Sequence, residues 1–310
     1  MAAPGLVAPG WLWIPITLWA AFAQTLRNAA QRGLTKDLGT LGATLVRFLY
    51  GLPFAAAWLA GVHLVGGFAV PAINATFLGW AAFGAVSQIA ATALLLKVMT
   101  ERNFTLGVAY SKSEIIQVAF FGFIFLGDRI GLAVAIAIVL GTAGVLMLAP
   151  ADREHPWRAM LTGWTSRLAL YGIASGTGFA LSAVGFRGAS LALEGSSFLV
   201  AAATTLLVAQ SIQTLLLGGW LLARHRDVVL RVLQAWRMSL FAGFMGAAAS
   251  AGWFTAMAIE RVAYVRTLGL TELLFSYVIS MRVFREKLEP RELAGIGLLV
   301  VGLVVIAIGH

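Results

Sequence analysis

Apolar runs of about twenty residues return along the whole length of this chain, and that is the length of helix that crosses a hydrocarbon layer of roughly 30 Å. Ten such runs can be marked, at 11–32, 41–63, 72–99, 103–126, 131–149, 164–190, 197–221, 237–259, 262–284 and 291–308. They predict an all-α polytopic membrane protein with ten transmembrane helices. The connectors are short, the longest lying near 150–163 and 222–236, so no soluble domain fits between the runs. Composition agrees: 11% of the 310 residues are charged and 60% are hydrophobic, against about 25% charged in a soluble domain. The first run has no Lys or Arg ahead of it and is too long for a cleaved signal peptide, so it is expected to stay as a first helix.

The net charge of +9 raises nucleic acid as a partner, but its distribution speaks for a membrane. Of the 22 Lys and Arg, 17 fall in or near the odd-numbered loops, Arg27 and Arg47 among them; Arg129, Arg187, Arg261 and Arg266 fall on the other side, and Lys112 lies within the membrane. By the positive-inside rule the odd loops are cytoplasmic and both termini lie outside. The expected partners are the lipid bilayer and a small-molecule substrate, with no nucleic acid. No cysteine is present, which removes disulfides and thiolate metal sites, and His63, His155, His225 and His310 all sit at span ends or in loops. No metal and no cofactor is expected. A membrane-embedded enzyme would need a deep histidine, an H-E-x-x-H motif or a paired deep aspartate. Asp128, in its Gly-Asp setting at a helix end, has no deep partner, so the chain reads as not an enzyme.

The chain also repeats itself. Val108-Ala-Tyr110 returns as Val262-Ala-Tyr264 at an offset of 154. Glu114 then matches Glu272, Phe125-Leu-Gly-Asp128-Arg-Ile130 matches Val283-Phe-Arg-Glu286-Lys-Leu288, and Gly144 matches Gly302, all at 158. The step of four is about one helical turn. This divides the chain into a first five-helix repeat over 1–150, a linker over 151–163 and a second five-helix repeat over 164–310. An odd number of helices per half makes the second copy enter the membrane from the opposite side, giving two inverted repeats.

The two halves, Arg47 early in the second span, the ending Leu126-Gly-Asp-Arg-Ile130 before a helix bearing Gly141 and Gly144, and Thr271-Glu-Leu-Leu-Phe-Ser-Tyr-Val-Ile-Ser280 followed by Phe284-Arg-Glu-Lys-Leu288 resemble the EamA family. These are the ten-helix members of the drug/metabolite transporter superfamily. The resemblance covers nearly the whole chain and is most similar to bacterial amino-acid exporters, the aromatic type included. It implies a bacterial inner membrane location and a place for spans five and ten outside the substrate path. It does not fix the substrate.

Lys112, Glu114 and Glu272 are the chemistry inside the membrane. Glu114 lies about 17 Å into its span and Glu272 about 15 Å into its own, near mid-depth. Facing lipid, each would cost on the order of 2.5–3.5 kcal/mol, so each must face protein or water. They either pin helices together or line a substrate path. Residues two apart on a helix point about 200° apart, so Lys112 and Glu114 are not expected to pair; Glu272, from the matching helix, is the expected partner of Lys112. Glu114 is placed on a polar stripe with Tyr110, Ser111 and Gln117.

Other stripes run through Thr17, Gln24, Asn28 and Gln31, through Ser87, Gln88 and Thr92, and through Gln210, Gln213 and Thr214. These are interhelical glue or the lining of one shared cavity. Trp11, Trp13, Trp157, Trp164 and Trp236 read as interface anchors, whereas Trp19, Tyr50, Trp80, Tyr110, Trp253 and Tyr264 lie deeper, as packing or as the wall of a pocket. Arg47 either snorkels to the cytoplasmic surface or meets a substrate carboxylate, as Lys112 would, with Glu114 or an aromatic face for an ammonium.

The candidate substrate residues are thus Gln24, Asn28, Arg47, Tyr50, Gln88, Tyr110, Lys112, Glu114, Gln117, Trp253, Tyr264 and Glu272. The reading is a secondary transporter that exports zwitterionic metabolites, amino acids above all, with either glutamate available to carry a coupling proton or with no coupling. Export of organic cations, nucleosides or sugars is the competing reading, and a passive channel is a weaker one. Two fused halves complete one unit, so a monomer is expected.

Overall fold

The computed structural model describes residues 8–101, 111–128, 131–148 and 167–283, with helical positions scattered between 294 and 305. Among these residues every regular element is a helix. The first, α1, runs Trp13–Leu49, and α2 runs Leu52–Leu64. Drawn straight, this 52-residue apolar stretch would measure about 78 Å, far more than one bilayer. It turns back at Gly39, whose φ of 68° and ψ of 173° suit a residue without a Cβ. The reversal is proved by the Gln31 amide, which donates to the Ala43 carbonyl twelve residues on at 2.6 Å. The first two predicted spans are therefore the two arms of this hairpin. The second arm breaks again at Tyr50 and Gly51, just before Pro53 restarts it in the first turn of α2, where a missing N–H costs little.

Further on come α3 (Ala75–Glu101), α4 (Glu114–Leu126), α5 (Leu132–Leu148), α6 (Arg167–Leu191) and α7 (Phe198–Gln213). The seventh span is not one regular helix. A π segment over Thr214–Gly218 joins α7 to α8 (Gly219–Arg224), carrying it three residues past its expected end. The connector that follows is one of the two longest expected. It holds a short amphipathic helix, α9 (Arg226–Gln234), with Val232 buried and Leu230 and Leu233 exposed. Then α10 spans Trp236–Ile259, and the ninth predicted span is split into α11 (Val262–Leu268) and α12 (Thr271–Arg282). Among the described residues five helical runs are long and apolar enough to cross a membrane. The linker, most of the tenth span, Trp157 and Trp164 lie outside the described residues.

The two most extensive helix pairings are α1 with α10 and α3 with α6. Small residues make both possible. A Cβ on Gly252 of α10 would meet Ala20 at 2.8 Å, and one on Gly185 of α6 would meet Gly84 of α3 at 2.9 Å. Close backbone approach between small residues is the usual source of association where lipid offers no hydrophobic gain. Trp13, expected at the interface, is instead fully buried against this core, whereas Trp11 and Trp236 are exposed as expected.

The loops sort to two ends. At one, Thr100 donates to Thr35 at 3.4 Å, Lys97 lies over the Tyr171 ring at 5.1 Å, and the Tyr50 hydroxyl donates to the Val232 carbonyl at 3.2 Å. At the other, Asn74 donates to the Ala192 carbonyl at 2.8 Å, and Arg187 faces Asp128 at 3.5 Å and binds the Met257 and Glu260 carbonyls. Among the described residues the first end gathers the first, third and seventh connectors and the second end the even-numbered ones.

Candidate functional site

Four cations and two acids are buried together inside the helices. Arg27, Arg47, Lys112, Glu114, Arg266 and Glu272 are each no more than 6% exposed. Glu272 is the hub. Its Oε2 accepts from the Gln24 amide at 2.7 Å and from Lys112, and its Oε1 accepts from the Asn28 amide at 2.9 Å. The expected pair of Lys112 with Glu272 is present. Asn28 in turn accepts from Arg27 Nη2 at 2.6 Å and from Nε at 3.2 Å. Gln24 accepts from the Trp253 indole at 2.9 Å, and the Arg266 guanidinium lies 4.7 Å over that indole ring. Arg266 closes the circuit by facing Glu114 at 3.7 Å.

Two expectations are corrected here. Lys112 also faces Glu114, at 3.6 Å, although regular helix would hold the two apart. The reason is local: Lys112 and Ser113 form a turn rather than regular helix, and the Ile115 N–H binds the Lys112 carbonyl three residues back. The ninth span does the same. Leu270 binds back to Thr267, Glu272 to Gly269 and Leu273 to Leu270, each three residues away. Both glutamates thus stand in the first turn of a helix restarting after a 3₁₀-like step, a feature that often marks function within a helix. Their charge suits the positive end of the new helix.

The second correction concerns the arginines. Arg47 does not snorkel. It is buried, with Nη1 donating to Thr92 at 3.0 Å and Nη2 reaching Ser250 at 3.4 Å. Arg27, counted with the loop cations, is fully buried, and Arg266, counted on the opposite side, is buried beside Glu114. Moving these three inside leaves a loop bias of 15 against 3.

Of the other candidates, Gln88 accepts from Gln213 at 2.8 Å, joining the α3 stripe to the seventh span one turn from Thr92, which holds Arg47. Gln117 is half-buried and among the described residues reaches Ser113 alone, at 3.4 Å or more. Tyr50 leaves the group altogether, because its hydroxyl holds α9. Tyr264 is half-buried, its hydroxyl beside Gly131 and its ring under the Arg261 guanidinium at 6.0 Å. Tyr110 lies outside the described residues. An apolar groove of about 780 Å³ opens elsewhere, between Pro15, Trp19, Trp58 and Phe244.

The geometry is that of a polytopic helical membrane protein with a charged site enclosed between its helices. Residues 166–308 match the model of the EamA-like transporter family, which is part of the drug/metabolite transporter superfamily. It is a family of small-molecule transporters rather than enzymes. No curated protein sequence matches the chain significantly. A solved crystal structure, titled only as that of a protein, superposes with a TM-score of 0.64 over 96% of each chain at 14% identity, a likeness of fold alone.

Proposed function

We propose that this chain is a secondary transporter exporting small zwitterionic metabolites, amino acids above all, by alternating access between two inverted five-helix halves. The observation that carries the reading is the enclosed charge cluster, to which both halves contribute: Arg27, Asn28, Lys112 and Glu114 from the first, Trp253, Arg266 and Glu272 from the second. A cluster shared by two halves senses their relative motion, because a rocking movement must exchange its partners. Ionisable groups inside a membrane protein are functional by default, given their cost in lipid.

Helix pairing supports the inverted repeat. Numbered by predicted span, α1 with α10 is span one with span eight, and α3 with α6 is span three with span six; a two-fold relating the halves exchanges these pairings. The cationic odd-numbered end favours a cytoplasmic face there, in a bacterial inner membrane, with both termini outside. In this scheme a substrate carboxylate engages the arginines while an ammonium group replaces Lys112 or Arg266 at a glutamate. The charge balance disfavours organic cations, since cations outnumber acids four to two in the cluster.

Counterflow in proteoliposomes tests the proposal. Vesicles of purified protein loaded with unlabelled threonine, methionine or phenylalanine should accumulate labelled amino acid above empty liposomes. Accumulation only with an organic cation, a nucleoside or a sugar would overturn the substrate, and none with any solute would overturn the transporter reading.

A further inference from the structure

The cluster holds more positive charge than its own acids neutralise, and that surplus has a direction. Arg27, Arg47, Lys112 and Arg266 are buried with two acids, Glu114 and Glu272, and it is Lys112 and Arg266 that make the ion pairs with them among the described residues. An uncompensated buried charge costs several kcal/mol unless something pairs with it. Lys112 is committed to the two glutamates. The three arginines keep donors to spare, Arg266 even beside Glu114: Arg27 Nη1, Arg47 Nε and Arg266 Nε are buried N–H groups with no acceptor among the described residues.

One face of α10 lines them up. A Cβ on Gly246 would lie 3.2 Å from Arg47 Cγ and 3.3 Å from Arg27 Cδ, so both side chains pass over this glycine together. Ser250, one turn on, accepts from Arg47, and Trp253, nearly another turn on, lies under Arg266. From Gly246 to Trp253 is about 10 Å along the helix. Three guanidinium groups with spare donors therefore share a strip about as long as a small organic acid. A guanidinium offers a planar fork of N–H groups that matches a carboxylate or a phosphate in two-point contact.

We propose that this strip is an oxyanion seat, built for a carboxylate or phosphate group, and that the transporter favours substrates of net negative charge over neutral zwitterions. This rests on the transporter reading and narrows its substrates to those of net negative charge, acidic amino acids among them. A neutral amino acid brings its own cation and leaves the surplus in place, whereas a dicarboxylate, an acidic amino acid or a phosphate monoester removes it.

The test has two arms. In the first, thermal unfolding of the purified protein is followed by tryptophan fluorescence in succinate, glutamate, inorganic phosphate or chloride at one ionic strength. Saturable stabilisation by the oxyanions beyond chloride is expected, with Arg266→Gln weakening the apparent affinity about thirtyfold or more and Arg266→Lys weakening it less. A response to phosphate alone or to carboxylates alone supports the seat and identifies its ligand. Equal shifts from oxyanions and chloride would overturn it, and this comparison needs only the unaltered protein.

In the second arm, succinate, glutamate and phosphate compete with a labelled neutral amino acid in counterflow. Competition at lower concentration than an unlabelled neutral amino acid supports the proposal. Counterflow that none of the three inhibits would overturn the seat and leave the transporter reading intact. Stabilisation by oxyanions without counterflow of any solute would support the seat and overturn the transporter reading.

Discussion

Replacing Glu272 by Gln isolates the charge at the hub while keeping its shape. The carboxylate accepts from three donors, the Gln24 amide, the Asn28 amide and Lys112. A glutamine can turn its oxygen toward only one side, so either Asn28 or the Gln24–Lys112 pair then faces an amide N–H. Lys112 is left with Glu114 at 3.6 Å as its acidic partner. Removing one member of a buried ion pair typically costs about 3–5 kcal/mol. Lys112→Gln should cost less, about 1–3 kcal/mol, because Glu272 keeps two amide donors and one surplus cation disappears. The double variant should recover part of the loss, with a coupling energy of about 2 kcal/mol or more. Unfolding of the four proteins in detergent, followed by tryptophan fluorescence, measures this cycle. A coupling near 0.6 kcal/mol, the value of an ordinary interhelical hydrogen bond in a membrane, would refute the charge pair as an organising element. So would Lys112→Gln proving more harmful than Glu272→Gln.

Other positions give separate checks. Gly243→Ala places a Cβ 2.5 Å from the Tyr50 backbone and should destabilise by about 1–3 kcal/mol, whereas Gly79→Ala, with nothing within 4 Å, should be neutral or gain up to about 1 kcal/mol; thermal scans of the two compare them directly. Tyr50→Phe removes the hydroxyl's bond to the Val232 carbonyl and should speed tryptic cleavage at Arg231 while costing only about 0.5–1.5 kcal/mol. Because the chain has no cysteine, Ser196→Cys and Lys36→Cys can each be probed with an impermeant maleimide on whole cells; labelling of the first and not the second is expected, and the reverse would invert the topology.

Much of the site could be read before the structure. Gln24 and Asn28 were legible as a polar stripe at helical spacing, and Lys112, Glu114 and Glu272 as charges too deep in apolar runs to be loop residues. The pairing of Lys112 with Glu272 followed from depth alone. Arg27 and Arg266 were missed because a tally by loop assigns every arginine to the nearer side; yet Arg27 interrupts the Gln24–Asn28 stripe and Arg266 stands four residues inside its span. The 3₁₀-like steps also left a trace. The repeat offset changes from 154 to 158 between the Val-Ala-Tyr echo and the glutamates, and in both halves that is where the helical hydrogen bonding tightens. By contrast, Gly39 as a point of reversal, the π segment after Gln213 and the helix Arg226–Gln234 depend on tertiary contacts. Periodicity within one run carries no sign of them.

The most direct measurement is counterflow by Glu272→Gln protein that still elutes as a single folded species, set against the unaltered protein in matched vesicles. If the enclosed cluster is the transport site, the variant loses about tenfold or more of the initial rate, in line with the few kcal/mol held by its hub. An unchanged rate would show that solute passes elsewhere, and would reduce the cluster to a device that holds the helices together.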